Sequence, residues 1–311
     1  MKKMFFAVIV VALIVLGIVL ALSQRQKPKD GIEKLLVVTT LFPLYDFARN
    51  IGQDKVEVSL LLPPGVEAHS FEPKPSDIVR ISQADVFIYT GKFMEPWVED
   101  ILQGVYREQV KVVEAGMGTK MIPAVSLRPK ERRRAMDPHS WLDFDNAQTM
   151  VDNIAEVLAE KDAVNADFYR QKAGEYKNSL AKLDIEYKTA LSACPSKEII
   201  YGGHYAFGYL ASRYGLKYLA AQGVSPDAEP TAQDLVHLVE QIKQDKIEYV
   251  FYEELAGTKI AETLAHETKA KLLMLNAGHN LSKEDFENQV SFRAIMEENL
   301  QNLKIGLRCP K

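Results

Sequence analysis

The sequence predicts an α/β protein of two βα lobes, each with a mainly parallel sheet, joined by a long rigid helix. Three observations carry this reading. Short β-branched or aromatic runs alternate with helical patterns in two separate series, and alternation of this kind indicates parallel strands with crossover helices. A stretch from Asn146 to Ser192 that is free of proline and contains only Gly174 lies between the two series. The chain has 311 residues, 47% apolar and 26% charged, so it is long and apolar enough for two cores and is not a disordered chain.

In the first series LLVVTT (35–40) leads into LYDFARNIG. VEVSLLL (56–62) leads through a proline-rich loop into SDIVRISQ, and DVFIYTG (85–91) into a helix expected near Met94 to Gln103. KVVE (111–114) closes the series, and a loop at 115–138 holds Pro123, Pro129 and Pro138. The helical stretch that follows reads as a stiff strut, with a capping-type sequence at Asp162 to Asn165 that restarts the helix. From Glu198 the alternation resumes. EIIYGG precedes AFGYLASRY, KYLAA precedes TAQDLVHLVEQIKQ, EYVFYEE precedes TKIAETLAHET, and KLLMLN precedes SKEDFENQVSFRAIMEENLQNL, expected as one helix. The expected organisation is a leader or membrane anchor at 1–30, an N-terminal lobe at 31–144, a linking helical segment at 145–193 and a C-terminal lobe at 194–311.

At the N-terminus, Lys2 and Lys3 precede an uncharged run from Phe5 to Leu22, long for a signal peptide and short for a membrane span. Cleaved leader and uncleaved anchor both stay open, and either places the bulk of the chain outside the cytoplasm. Ala21 and Ser23 offer a small-residue cleavage site, and no cysteine near residue 22 offers a lipid attachment point. Cys194 and Cys309 have two readings: a disulfide made in an oxidising compartment, or two unrelated thiols. The net charge of −4 becomes −6 if Lys2 and Lys3 leave with a leader, which excludes nucleic acid as a partner on charge. The basic run Arg128 to Arg134 (RPKERRR) reads as a solvated loop.

Three histidines stand at junctions between an apolar strand and a loop: His69 in LLPPGVEAHSFEPKPSD, His139 in MDPHSWLDFDNA and His204 in IIYGGHYAFGYL. Each alone is more simply a surface or capping residue. Their separations of 70 and 65 residues rule out a local finger, so only a large fold could bring them together, and the object they would then build is one buried metal site. Ligands of open α/β sheets gather beyond the carboxyl ends of strands, where the His69 loop falls. Asp137, Trp141 and Asp143 flank His139 closely enough to orient its ring, and Gly202-Gly203 let another group approach the backbone before His204. His237 and His266 lie within helical patterns and read as structural, whereas His279 occupies the loop after LLML.

At this point the chain resembles the metal-binding subunits of bacterial ABC importers for zinc and manganese. The resemblance rests on VVTTLFPLYDFARNIG, LLPPGVEAHSFEPKPSDIVRISQADVFIYTG, DPHSWLD, HYAFGYLASRYGL, GVSPDAEPTAQDL and VFYEELAGTKIAETLAHETKAKLLML, six motifs in order over nearly the whole chain after the leader. It implies one metal ion between two lobes, with His69 and His139 as ligands from the first and His204 from the second. The family commonly has an aspartate directly after the strand matching LLML, and here Asn276 stands there. A neutral amide is a poor donor for a divalent cation, so the fourth place passes to His279, with Glu253 and a water as the alternatives.

An imidazole-rich set suits Zn2+ better than Mn2+, which prefers oxygen. Zinc-binding members often carry a histidine-rich loop between the first two metal histidines; RPKERRRAMD takes its place here. The resemblance thus implies a monomeric, non-enzymatic carrier that captures the ion outside the membrane and delivers it to an ABC permease in the cytoplasmic membrane, with small lobe movements. The rival reading is an exported zinc hydrolase with three histidines and a water, Glu253 or Glu254 acting as general base; no HExxH signature supports it. A surface adhesin, a role proposed for some relatives, is compatible with metal binding, but no adhesion motif is present.

Overall fold

The computed structural model describes residues 34–105, 109–124, 136–224, 229–255 and 257–310. The expected leader and the run Arg128 to Arg134 lie outside them. Among the described residues no helix is long and apolar enough to cross a membrane.

The first lobe is built from β1 (Leu35–Thr39), α1 (Phe42–Gly52), β2 (Val56–Leu60), α2 (Pro75–Ser82), β3 (Val86–Tyr89), α3 (Val98–Leu102) and β4 (Lys111–Glu114). Its strands pair in parallel in the order β2-β1-β3-β4. The second lobe contains β5 (Glu198–Tyr201), α6 (Gly208–Tyr214), β6 (Lys217–Ala220), α7 (Ala232–Gln244), β7 (Tyr249–Tyr252), α8 (Lys259–Thr268), β8 (Lys271–Met274), α9 (Lys283–Glu287) and α10 (Phe292–Gly306). Its order β6-β5-β7-β8, again parallel, repeats that of the first sheet. Helices on the faces explain why VVT, VFI and IIY are buried as near-continuous apolar runs.

Two helices lie between the sheets in sequence, α4 (Phe144–Lys161) and α5 (Ala166–Ser192). The sequence reading of a strut with a restart needs correction, because the restart is a reversal. Asp162 accepts hydrogen bonds from Asn165 and from the Tyr169 hydroxyl at the turn, and Arg170–Glu156 and Lys177–Asp152 pairs lace the two helices antiparallel. α4 therefore packs back on the first lobe, and α5 alone is the long link, roughly 40 Å at 1.5 Å per residue. The Tyr176 hydroxyl of α5 donates to Asp46 of α1 at 2.8 Å, and Tyr187 donates to the Met296 carbonyl of α10 at 2.5 Å. One helix is thereby pinned to both lobes. The lobes also share one apolar core, in which Phe47 of α1 meets Phe292 of α10 edge to face at 5.2 Å.

Two further expectations change. The helix expected from Met94 starts at Val98, because Pro96 disfavours helix at the residue before it and the Glu95 carboxylate is used to accept the Thr90 and Gly91 amides. The C-terminal helix is split: Gln289 takes a left-handed conformation (φ 56°), and Ser291 restarts the helix by accepting the Ala294 amide. Cys194 and Cys309 form a disulfide that ties the end of α5 to the chain after α10.

Candidate metal centre

His69 ends a loop that begins with Pro63-Pro64-Gly65, where Gly65 adopts φ 83°, a backbone state that glycine takes without strain. The Glu67 carboxylate accepts the His69 amide at 2.9 Å and so folds the loop tip on itself. His139 is fully buried. Asp137 accepts both its amide at 3.0 Å and its Nδ1–H at 2.8 Å, and Trp141 lies against its ring at 5.4 Å. Asp143, expected nearby, instead caps α4 and pairs with Arg213. His204 follows β5, also fully buried, with Nδ1 2.7 Å from Glu253 Oε2. The two glycines before it act as the sequence implied: a Cβ on Gly203 would fall 2.7 Å from that Glu253 oxygen, and one on Gly202 would strike Ala261 of α8.

With Nδ1 of His139 and His204 occupied by carboxylates, their Nε2 atoms are free to face one another. His139 Nε2 lies 3.1 Å from His69 Nε2 and 3.1 Å from His204 Nε2, and the three ring centroids are mutually 5.1 Å apart. Two imidazole nitrogens on one tetrahedral zinc at about 2.05 Å would stand roughly 3.3 Å apart, so the triangle has close to the size that such an ion requires. Three neutral rings in this contact have too few protons to satisfy one another, whereas a cation would accept all three lone pairs.

His279 borders the triangle, its ring 5.7 Å from that of His204 and 6.3 Å from that of His69. It is 3% exposed, and neither ring nitrogen has a hydrogen-bond partner among the described residues. Nε2 stands 3.8 Å from Glu67 Oε2 and 3.9 Å from Glu253 Oε1, the latter also without a hydrogen bond. Donor atoms of His204, Glu253 and His279 fall within 4.8 Å of one another, as do those of His69, His139 and His204. Two donor sets thus share His204. Asn276 turns elsewhere, its amide nitrogen to Glu254 and its oxygen to the Gly278 amide. His237 and His266 are exposed on helices away from this cluster. Glu67 was not singled out from the sequence; its signal is its place two residues before His69, within reach of that residue's amide.

Burial sets the electrostatics. It holds the imidazoles of His69, His139 and His279 below their ordinary 6.5, in the neutral state that binds metal. His204 goes the other way. Burial is the largest single influence and opposes its charge, but the carboxylates of Glu253, Glu67 and Asp137 together outweigh it and raise its proton affinity. Asp137 is pushed up to about 8 by burial, an unfavourable ionisation that a cation at the neighbouring ring would offset.

Comparison with known proteins shows the family to which the chain belongs. The profile of the family described as zinc-uptake complex component A, periplasmic, matches residues 37–306. The high-affinity zinc uptake system protein ZnuA of Bacillus subtilis is 38% identical over 282 residues, covering 88% of each chain. The zinc-binding lipoprotein AdcA of Streptococcus pneumoniae is 34% identical over 292 residues, and the match spans 58% of that longer protein. Among solved structures, the metal-dependent lipoprotein YcdH of Bacillus subtilis superposes with a TM-score of 0.77 at 38% identity, over 88% of this chain and 99% of that one. The Zn(II)-bound ZnuA-like domain of Streptococcus pneumoniae AdcA gives 0.75 at 35% identity, over 88% and 99%. Profile, identity and fold extend over both lobes, and the chain belongs to the family of periplasmic zinc-uptake complex component A.

Proposed function

We propose that the protein captures a divalent transition-metal ion, zinc in preference to manganese, outside the cytoplasm and delivers it to an ABC-type permease in the cytoplasmic membrane. The observation that carries the reading is the meeting of three imidazole Nε2 atoms at about the spacing of a tetrahedral zinc site. The N-terminal lobe of residues 31–144 contributes His69 and His139, and the C-terminal lobe of residues 194–311 contributes His204 and His279. The ion is cargo. Zinc is favoured over manganese because imidazole nitrogens dominate the donor set, and ZnuA of Bacillus subtilis and AdcA of Streptococcus pneumoniae are described as zinc-uptake and zinc-binding proteins.

The hydrolase reading draws no support from the site. Glu253, its candidate general base, directs one oxygen at His204 Nδ1 and so serves as the ring's holder. Release follows from the same construction: the donors come from both lobes, so a small shift at the seam on permease docking is enough to spoil the cage, while α5 and the shared core limit wider opening. Native mass spectrometry of the exported form with metal analysis tests this. One zinc per chain is expected, lost in His69→Ala, His139→Ala and His204→Ala, with no esterase or peptidase turnover in wild type or in Glu253→Gln. Retention of the ion in all three alanine variants would refute the site.

A further inference from the structure

The loop after β8 changes allegiance in mid-course. Its first two residues belong to the second lobe: the Leu275 carbonyl accepts from the Tyr201 hydroxyl, and the backbone of Asn276 is held on both sides by Asn299. From Ala277 to Leu281 three carbonyls bond to the first lobe, while the Gly278 amide still donates to Asn276 Oδ1. Trp141 Nε1 donates to the Ala277 carbonyl at 2.8 Å, the Phe42 amide to the His279 carbonyl at 3.3 Å and the Gly65 amide to the Leu281 carbonyl at 2.7 Å. Gly278 stands at the changeover with φ 67°.

Asn280 closes this strap. It is 1% exposed, and its Nδ2 donates to two carbonyls of the His69 loop, Pro63 and Val66, both at 2.8 Å, while its Oδ1 accepts the Leu281 amide. One amide therefore joins the loop bearing His69 to the residue that follows His279. We propose that Asn280 is a positioning residue that locks the His69 loop to the His279 loop, so that these two groups are held, and let go, as one unit and the rate of ion release is set there. This rests on the zinc-capture reading for its functional consequence. The mechanical part stands on the hydrogen bonds alone. Asn280 is itself buried and donates to two carbonyls of one turn, so removing its amide deletes both bonds across the seam at once: the loop is fixed while Asn280 is present and loosened when it is not. His69 is the only member of the triangle that is not fully buried, which makes its loop the one whose opening exposes the ion.

Asn280→Asp tests it, keeping shape and the Oδ1 acceptor while removing both donors. A matched control exists in Asn153→Asp: Asn153 of α4 likewise donates to two carbonyls, of Ala115 and Met117, at 2.8 and 2.9 Å, away from the site. Zinc release into excess chelator is expected to accelerate about tenfold or more in Asn280→Asp and less than about twofold in Asn153→Asp. In the metal-free protein, exchange of the Gly65 and Val66 amides should quicken in the first variant only. Equal release rates in both variants, or unchanged exchange at Gly65 in Asn280→Asp, would overturn the assignment. If wild type holds no zinc, the functional reading fails, and the exchange experiment still decides whether Asn280 locks the loops.

Discussion

Replacing Glu253 by glutamine removes one charge from behind His204 and little else. The carboxylate oxygen lies 2.7 Å from Nδ1, and the pair is buried, with side chains 0% and 3% exposed. The amide oxygen of glutamine can still accept the Nδ1–H bond, so the ring keeps its tautomer and direction. What is lost is the attraction between the carboxylate and an ion on the far side of the imidazole, roughly 6 to 7 Å away when a zinc–nitrogen distance of about 2.0 Å is added across the ring. At an effective dielectric constant of about 20 the attraction between one negative charge and a divalent ion at this distance is about 5 kcal/mol, an upper bound because the neighbouring carboxylates and rings screen it. Groups that support a ligating histidine are typically worth roughly 10- to 100-fold, so Glu253→Gln is expected to weaken zinc binding by at least about tenfold. Competition titration against a chromophoric zinc chelator at pH 7.5 measures it, with the melting temperature of the metal-free protein as a check on folding. A well-folded Glu253→Gln with affinity unchanged within about threefold would refute the reasoning, because His204 would then not be a ligand supported from behind.

Three other outcomes follow from named contacts. Zinc must displace the proton that Glu253 helps to hold on His204, whose value lies above 6.5, so affinity should be full well above that value and fall steadily as pH drops through it towards about 5; pH-independent binding between about 7 and 5 would contradict the assignment. Asp46 is raised from its ordinary 3.8 to about 6 by burial, so its contribution to stability is fully present below about pH 4 and is lost as pH rises through about 6. Asp46→Asn should therefore flatten the stability difference between pH 4 and 7.5 by up to about 3 kcal/mol in urea unfolding, and an unaltered profile would exclude Asp46 as its source. Removing the disulfide by Cys194→Ala with Cys309→Ala should cost about 2–4 kcal/mol, since the bridge closes a loop with a sequence separation of 115 residues; equal unfolding midpoints in the two proteins would show that the bridge contributes nothing.

The two-lobe architecture was legible because each strand is a short run such as VFIY or EIIY next to a helical pattern, and both sheets draw on that local signal. The link was harder to read. Asp162 to Asn165 showed that a helix restarts, but whether the chain continues or doubles back depends on α4 burying its apolar face against the first lobe, a tertiary preference. At the site, His69, His139 and His204 stood out through the turn residues beside them, and the structure brings these three together. Their supporting carboxylates are read unequally: Asp137 lies two residues from its ring, whereas Glu253 reaches His204 across 49 residues and is visible only once β5 and β7 are neighbours. Asn280 left no trace in the sequence at all, because its partners Pro63 and Val66 are more than 200 residues away.

X-ray absorption at the zinc edge of the metal-loaded protein addresses the central claim most directly. The account predicts a shell of nitrogen or oxygen donors near 2.0–2.1 Å with the outer-shell scattering of at least three imidazoles. A spectrum dominated by oxygen with one imidazole or none would mean that the triangle of His69, His139 and His204 does not hold the ion.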